Sequence, residues 1–397
     1  MQRYKKTLFI ILFVPPFFQY KVWKREKIAT KEGFCCFFTN FVTKFVRMVN
    51  SRTIRIIDLF AGVGGIRLGF TQAAKTMGIE TECVFTSEID SWACKTYSKN
   101  FPKDTHNPMC DITQVDEKSI PDFDVLLAGF PCQAFSIAGK RGGFDDTRGT
   151  LFFDVARIIK EKRPKAFLLE NVKGLVNHRG GKTLETILNT LSIDLGYTTY
   201  YKILNAKYFG VAQNRERIYI VGFLDGGGGF LYPDNQCVTK VIKDILEESA
   251  VPPKYYLSTV YIESMKRHKA RHEAKGHGFG YEIRDLNDVA GTIVCGGMGR
   301  ERNLIIDPRQ TNLIPSTRIK GEYNKDGLRR MTPKEWERLQ GFPDDWTAGI
   351  ADQHRYKQMG NSVAVPTIKS VCKNIIGELL SPTPRPSRVV QTELSLF

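Results

Sequence analysis

DLFAGVGG, residues 58 to 65, is the stretch on which the reading of this chain turns. It follows an apolar run over 54–59 and precedes a helical pattern over 65–77, which makes it a glycine turn between a buried strand and a helix. Glycines there let backbone approach a ligand, and the first N–H groups of the helix, unpaired within it, point the same way. The dinucleotide pattern G-x-G-x-x-G would need glycine at position 67, where the chain has Arg67, so a nicotinamide cofactor is disfavoured. The next strand, over 83–87, runs into Glu88, an acid placed to accept hydrogen bonds from ribose hydroxyls. An adenosine ligand without a pyrophosphate suits this arrangement.

Outward from the turn, apolar runs and helical patterns keep alternating. A helix is expected from Ser91, a strand over 125–127, a helix over 151–159, a strand over 166–169, a helix over 183–195 and a last strand over 218–223. This predicts an α/β class with a doubly wound, mostly parallel sheet, whose ligands sit at the carboxyl edge of the strands. The run GGGG at 226–229 cannot hold regular structure and marks a boundary; the text beyond it, to about Gly327, is loop-rich and basic.

A thiol stands at that edge. GFPCQAFSIAGKRGGFDDTRG follows the strand over 125–127, so Cys132, flanked by Pro131 and a glycine-spaced loop, is placed to be exposed, although a lone cysteine is more often buried and inert. The strand over 166–169 runs into Glu170-Asn171-Val172, and Gln213-Asn214-Arg215-Glu216-Arg217 precedes the last strand. An acid and a guanidinium therefore converge on the edge that carries the thiol.

Bulk properties set limits. With 397 residues and 42% hydrophobic content the chain holds roughly two globular cores. The net charge of +16 favours a polyanionic partner, but residues 1 to 47 carry +8 of it, so the remainder is only moderately basic. MQRYKKTLFIILFVPPFF resembles a secretory signal, yet two adjacent prolines interrupt it, no small-residue cleavage site follows, and its apolar run is too short to span a bilayer. Met48 is the expected natural start, and 1–47 a non-native or dispensable extension. Nine cysteines without a C-x-x-C pair give neither a disulfide framework nor a metal signature and point to a reducing, cytoplasmic setting. His268 and His272, four apart in KRHKARHEAKGH, read as part of a solvated or phosphate-facing surface; no metal is expected.

In order from Asp58 to about Ile376, the blocks DLFAGVGG, SEID, DIT, GFPCQAFS, ENV, QNRER, RRMTPKEWERLQGFPDDW and GNSVAVP resemble the C5-cytosine DNA methyltransferases of bacterial restriction-modification systems. The resemblance implies a Rossmann-like S-adenosylmethionine-dependent methyltransferase fold with a smaller, loop-rich DNA-recognition domain. The expected divisions are a catalytic and cofactor domain over 48–223, target recognition over 224–345, a segment over 346–380 returning to the catalytic domain, and a flexible tail over 381–397. Phe60, Ala61, Gly62, Gly64, Gly65 and Pro131 would line the S-adenosylmethionine site, with Glu88 on the ribose and Asp111 and Ile112 on the adenine. Ile89 stands where many relatives carry Trp; Asn361, Ser362 and Val363 would complete the site.

The chemistry implied is addition of the Cys132 thiolate to cytosine carbon 6, with a protonated Glu170 at N3, Arg217 on O2 and Arg215 in support. The base must leave the duplex, and the loop over 133–149 would close over it. Ser136 and Thr292 would meet the DNA, Thr292 at a phosphate, while Gly296 and Gly297 would let Arg300 and Arg302 approach the major groove.

Double-stranded DNA is the expected partner, with a cognate restriction endonuclease acting on the same sequence without direct contact. The enzyme is expected to be monomeric, nucleoid-associated and free of membrane. Two other readings share the scaffold: an RNA cytosine-5 methyltransferase, and a catalytically silent DNA-binding regulator. At the end of the tail Leu394, Leu396 and Phe397 resemble the short apolar peptide that docks into a bacterial sliding clamp, although Glu393 replaces the usual Gln; a frayed terminus is the plainer reading.

Overall fold

A computed structural model describes residues 53–131, 151–236, 240–278, 280–296, 299–309 and 321–384. Cys132, Ser136, the loop over 133–149, Gly297, the extension over 1–47 and the tail residues Leu394, Leu396 and Phe397 lie outside the described residues.

Six strands, β1 (Thr53–Leu59), β2 (Glu80–Ser87), β3 (Val125–Ala128), β4 (Ala166–Val172), β5 (Thr198–Asn205) and β6 (Glu216–Phe223), form one sheet in the order β2-β1-β3-β4-β6-β5. The first four pair in parallel, because helices α1 (Gly65–Thr76), α2 (Ser91–Asn100) and α3 (Leu151–Lys162) lie between them along the chain. Helix α4 (Lys182–Asn189) follows β4. The inner strands are apolar on both faces; β3 is buried throughout. On one face Ile54, Ile56, Leu127 and Val221 pack with Phe70 of α1 and with Ile368 and Ile375 of the last helix. On the other, Ile57, Leu126 and Ile220 pack with Val155 and Ile159 of α3 and Ile187 of α4.

One strand departs from the sequence reading. Thr198–Asn205 was not expected as β5, and β6 is antiparallel to both β4 and β5. Only residues 206–215 separate β5 from β6, with no crossover helix, so the pair can close only as an antiparallel ladder. The reversal matters for the site: it brings the beginning of β6 to the carboxyl end of β4, with Arg217 opposite Val172 and Tyr219 opposite Glu170.

The later half adds α5 (Thr259–Glu273), the short antiparallel pair β7 (Leu304–Ile306) and β8 (Leu328–Arg330), α6 (Pro333–Leu339), α7 (Asp352–Asn361) and α8 (Val365–Leu380). Residues of the expected recognition region share a core with the catalytic half: Ile245, Ile293, Ile305 and Trp336 cluster with Val63, Ala93 and Ala212. The GGGG run is likewise tied down. Gly227 N donates to Glu378 Oε1 at 2.9 Å, and a Cβ on Gly228 would fall 1.9 Å from the Pro384 carbonyl oxygen. Glycine is needed there for close approach of two backbones.

Helix α5 lies inside the segment read as loop-rich. Its sequence lacks an apolar stripe because only Met265 is buried; the legible signal was Ser258, which caps it by accepting from Tyr261 N at 3.2 Å. Among the described residues no helix is long and apolar enough to cross a membrane.

Candidate active site

The residues brought to the carboxyl edge enclose a cavity of about 530 Å³, within the range of small-molecule sites. Its first wall is the turn after β1. Phe60, Gly62 and Gly64 all have positive φ, and α1 begins at Gly65 without a side-chain cap, leaving its first N–H groups to a ligand. Phe60, Ala61, Gly62 and Gly65 line the cavity, whereas Gly64 faces inward, where a Cβ would fall 2.3 Å from the Phe101 ring. A Cβ on Gly65 would meet Ser362 Oγ and Val363 Cγ2, each at 2.9 Å, so glycine lets the returning segment close on the head of α1.

Behind this turn Arg67 binds both oxygens of Asp104 and lies 3.9 Å from the Phe101 ring centroid. Asp58 sits beside it, its carboxyl pushed up to about 8 by burial, against the pull of Arg67. Cys83, Asp104 and His106 bring metal-type ligands within 4.8 Å, but they are engaged: Asp104 by Arg67, and His106 Nε2 by Thr86 Oγ1 at 2.8 Å.

Glu88 ties the second wall to the first. Its Oε2 accepts from Gly62 N at 2.7 Å, and its Oε1 from Ile89 N at 2.9 Å and Asp90 N at 2.7 Å. Two acceptances fill Oε1, while Oε2 retains a lone pair toward the cavity that Glu88 lines. Ile89 lines the cavity with its side chain exposed. Asp111 caps the turn Ile112–Gln114 by accepting from Thr113 N at 3.0 Å, and Arg157 holds that turn through the carbonyls of Ile112 and Val115.

Several lining residues escaped the sequence reading. Asp90 caps α2 and receives Lys357 Nζ of α7 at 2.6 Å; burial raises its carboxyl, but Lys357 and the two helix N–H groups bring it below the usual range. Asn171 Nδ2 donates to the Phe130 carbonyl at 2.8 Å and so fixes the chain at Gly129-Phe130-Pro131, immediately before Cys132. Asp90 had a readable cap position in SEID; Lys357 and Asn171 act through partners far along the chain.

Glu170 lines the cavity and is buried. Arg217 Nε lies 3.2 Å from Glu170 Oε1, an ion-pair distance without hydrogen-bond alignment, so Oε1 has no hydrogen-bond partner among the described residues. Burial raises the Glu170 pKa, against the pull of Arg217 and Arg215. Arg217 and Glu170 are diagonal neighbours on one face of the β4–β6 ladder.

Arg215, read as catalytic support, is also a clasp. Its Nη1 donates to the Ile293 carbonyl at 3.0 Å and its Nη2 to the carbonyls of Ser362 and Gly360. Burial and the like charge of Arg217 lower its pKa to about 9, partly offset by Glu170. Gln213 joins the clasp by accepting from Ile293 N at 3.1 Å and donating to the Leu339 carbonyl at 3.0 Å. The Thr292 hydroxyl donates to the Asn214 carbonyl at 2.7 Å.

Thr292, Gly296, Arg300 and Arg302 do not line the cavity. Arg300 and Arg302 sit on the turn Gly299–Asn303, Arg300 over the Tyr356 ring of α7. Asn361, Ser362 and Val363 do line it, and Asn361 Oδ1 lies 2.6 Å from Cys295 Sγ.

The family model for C-5 cytosine-specific DNA methylases matches residues 54–377, which includes every described element of this site. The chain belongs to that family. As a C-5 cytosine-specific DNA methylase it resembles the Type II methyltransferase M.HpaII of Haemophilus parainfluenzae, 57% identical over 328 residues, covering 81% of this chain and 89% of that protein. M1.ScrFI of Lactococcus lactis subsp. cremoris is 45% identical over 338 residues, covering 81% and 78%. Among solved structures, the Entamoeba histolytica methyltransferase EhMeth superposes with a TM-score of 0.63 at 20% identity, covering 83% of this methylase and 99% of that chain, a likeness of fold alone. The family implies S-adenosylmethionine, and the cavity's residues fit it: a turn whose Gly62 leaves open space at the cavity, an uncapped helix start for a carboxylate, and an acid with a lone pair for a ribose hydroxyl.

Proposed function

We propose that the protein methylates carbon 5 of a cytosine turned out of a specific short duplex DNA sequence, as the modification enzyme of a Type II restriction-modification system. The observation that carries this reading is the buried Glu170 carboxyl, with one oxygen unmet by any hydrogen bond, beside Arg217 in a cavity wall that continues to Pro131. A buried acid kept short of partners is poised to give its hydrogen bond to a substrate.

Phe60, Ala61, Gly62, Gly65, Glu88, Ile89, Asp111, Ile112, Pro131, Asn361, Ser362 and Val363 would hold S-adenosylmethionine, which supplies the methyl group as an electrophile on sulfur. Gly64 contributes through its backbone turn. The Cys132 thiolate adds to cytosine carbon 6 while Glu170 gives its proton to N3 and Arg217 hydrogen-bonds O2; the electron pair so formed lets carbon 5 take the methyl. Loss of the carbon 5 proton to solvent water then drives out the Cys132 thiolate, and N3 returns its proton to Glu170. Arg215 positions Glu170 and Arg217 by locking three segments around them. The Type II names of relatives up to 57% identical support the modification role and, with it, a nuclease that cuts the same sequence.

The chain is to be expressed in a methylation-free bacterium and 5-methylcytosine mapped by bisulfite sequencing, which should show one short motif methylated at every occurrence. Duplexes of that motif with 5-fluorocytosine should then trap a denaturation-resistant adduct with the wild type and not with Cys132→Ala. No methylation, or no cofactor-dependent adduct, would overturn the reading.

A further inference from the structure

Helix α5 carries a stripe of exposed cations. Arg267, Arg271 and Lys275 recur every four residues, so the first two share one face of the helix and the third continues it into the closing turn, over a rise of about 12 Å. All three are exposed, and none has a carboxylate within ion-pair distance among the described residues. Glu263, at the head of the stripe, pairs with Lys266 at 2.8 Å and also feels the charge of Arg267, which leaves Arg271 and Lys275 as the cations farthest from it. Lys269, on the inner side, is spent on the Tyr281 ring. Like charges four apart destabilise a helix by a few tenths of a kcal/mol per pair, roughly, and here Met265 is the one fully buried residue of the helix, with Ile262 partly buried against the same cluster. A polyanion lying along the stripe would relieve that repulsion.

The helix also stands beside the recognition turn. Tyr261 Oη in its first turn donates to Glu301 Oε1 at 3.0 Å, and Glu301 is the buried residue between Arg300 and Arg302. Met265 packs with Leu304, the residue that follows that turn, and with Leu328. The turn that carries Arg300 and Arg302 is thus adjacent to the first half of α5.

We infer that the Arg267–Arg271–Lys275 stripe is a second DNA site, which grips the phosphate backbone flanking the target and reads no bases. The inference rests on the proposed action on duplex DNA. Phosphate contact is the chemistry that three exposed cations on one helix supply, and it adds affinity and a steep salt dependence without sequence information.

The test compares the full-length wild type with Arg267→Gln/Arg271→Gln/Lys275→Gln, a set that keeps helix propensity, and with a control triple, Lys75→Gln/Lys118→Gln/Lys373→Gln, at exposed lysines elsewhere. Binding to a mixed-sequence duplex roughly 40 base pairs long is followed by fluorescence anisotropy across a salt series, and the slope of log K against log salt should fall by about 2 to 3 in the α5 variant only. Circular dichroism checks that the helix persists. Methyl transfer at saturating DNA should keep its kcat, with the KM for DNA raised. A wild-type slope in the α5 variant, or an equal fall in the control, overturns the inference. A wild type that binds the duplex but transfers no methyl to any DNA would overturn the proposed function instead and leave the helix result standing.

Discussion

A carboxylic acid gives up a proton near neutral pH only if its surroundings penalise the anion, and at Glu170 burial does so while Arg217 and Arg215 pull the other way. The net direction is upward. Glu170→Gln should therefore lower kcat by about 10² to 10⁴, the usual range for removing a general acid. Wild-type activity should decline on the alkaline side as pH rises through the raised pKa, and that limb should vanish in the variant. Stability has a definite sign too. As pH rises above the ordinary carboxyl range, the unfolded chain releases this proton while the folded protein keeps it, so the native state loses stability until the folded pKa is passed. Glu170→Gln should consequently gain stability over the wild type in urea titrations as pH rises above the ordinary carboxyl range toward the raised pKa; a difference independent of pH would mean that the carboxyl is not held neutral. Glu170 and Arg217 were legible in the sequence because each lies near the end of a strand, where position along the chain dictates position in the sheet. Lys357 and Asn171 were not, since their meaning lies in Asp90 and the Phe130 carbonyl, each tens to hundreds of residues away.

Among elements, α1 and α8 meet in a close seam. A Cβ on Gly69 would lie 2.6 Å from Ile368 Cγ2 and 3.0 Å from the Val365 carbonyl oxygen. In an exposed helix Gly→Ala would stabilise by about 1 kcal/mol, but overpacking costs about 1 to 3, and a backbone carbonyl yields less readily than a side-chain tip. Gly69→Ala should thus lower stability by about 1 kcal/mol in denaturant titration, and a more stable variant would show that the seam can open at no cost. The inner strands β1, β3 and β4 were readable because helices on both faces demand apolar runs such as VLLA. β5 was missed although TTYYKILN is rich in β-branched and aromatic residues, since no break signal was recognised between it and the preceding helix. The polar surface of α5 hid a helix for a different reason: an element with one buried residue leaves almost no hydrophobic period.

At the scale of the whole molecule, the site is assembled from segments that the sequence reading had assigned to separate divisions. The expected recognition region shares buried residues with Val63 and Ala212, and the junction between the parts is polar and centred on Arg215. Its guanidinium serves the carbonyls of Ile293 in one segment and of Gly360 and Ser362 in another, from a position at the start of β6 that sequence alone marked only as near the chemistry. None of those acceptors is a carboxylate, so the charge is held by carbonyl dipoles and its pKa is pulled down to about 9, chiefly by burial. Arg215→Ala would strand these buried carbonyls and leave a void, each unmet group costing about 1 to 3 kcal/mol, so a total loss on the order of 3 to 5 kcal/mol is expected. Arg215→Lys, with a single nitrogen in place of a fork, should recover only part of it. The distinguishing measurement is limited proteolysis alongside denaturant titration: cleavage should appear first between residues 224 and 345 while the sheet stays resistant, because the clasp rather than the core has been cut. Uniform cleavage across the sheet, or no change in stability, would show that Arg215 does not hold the segments together.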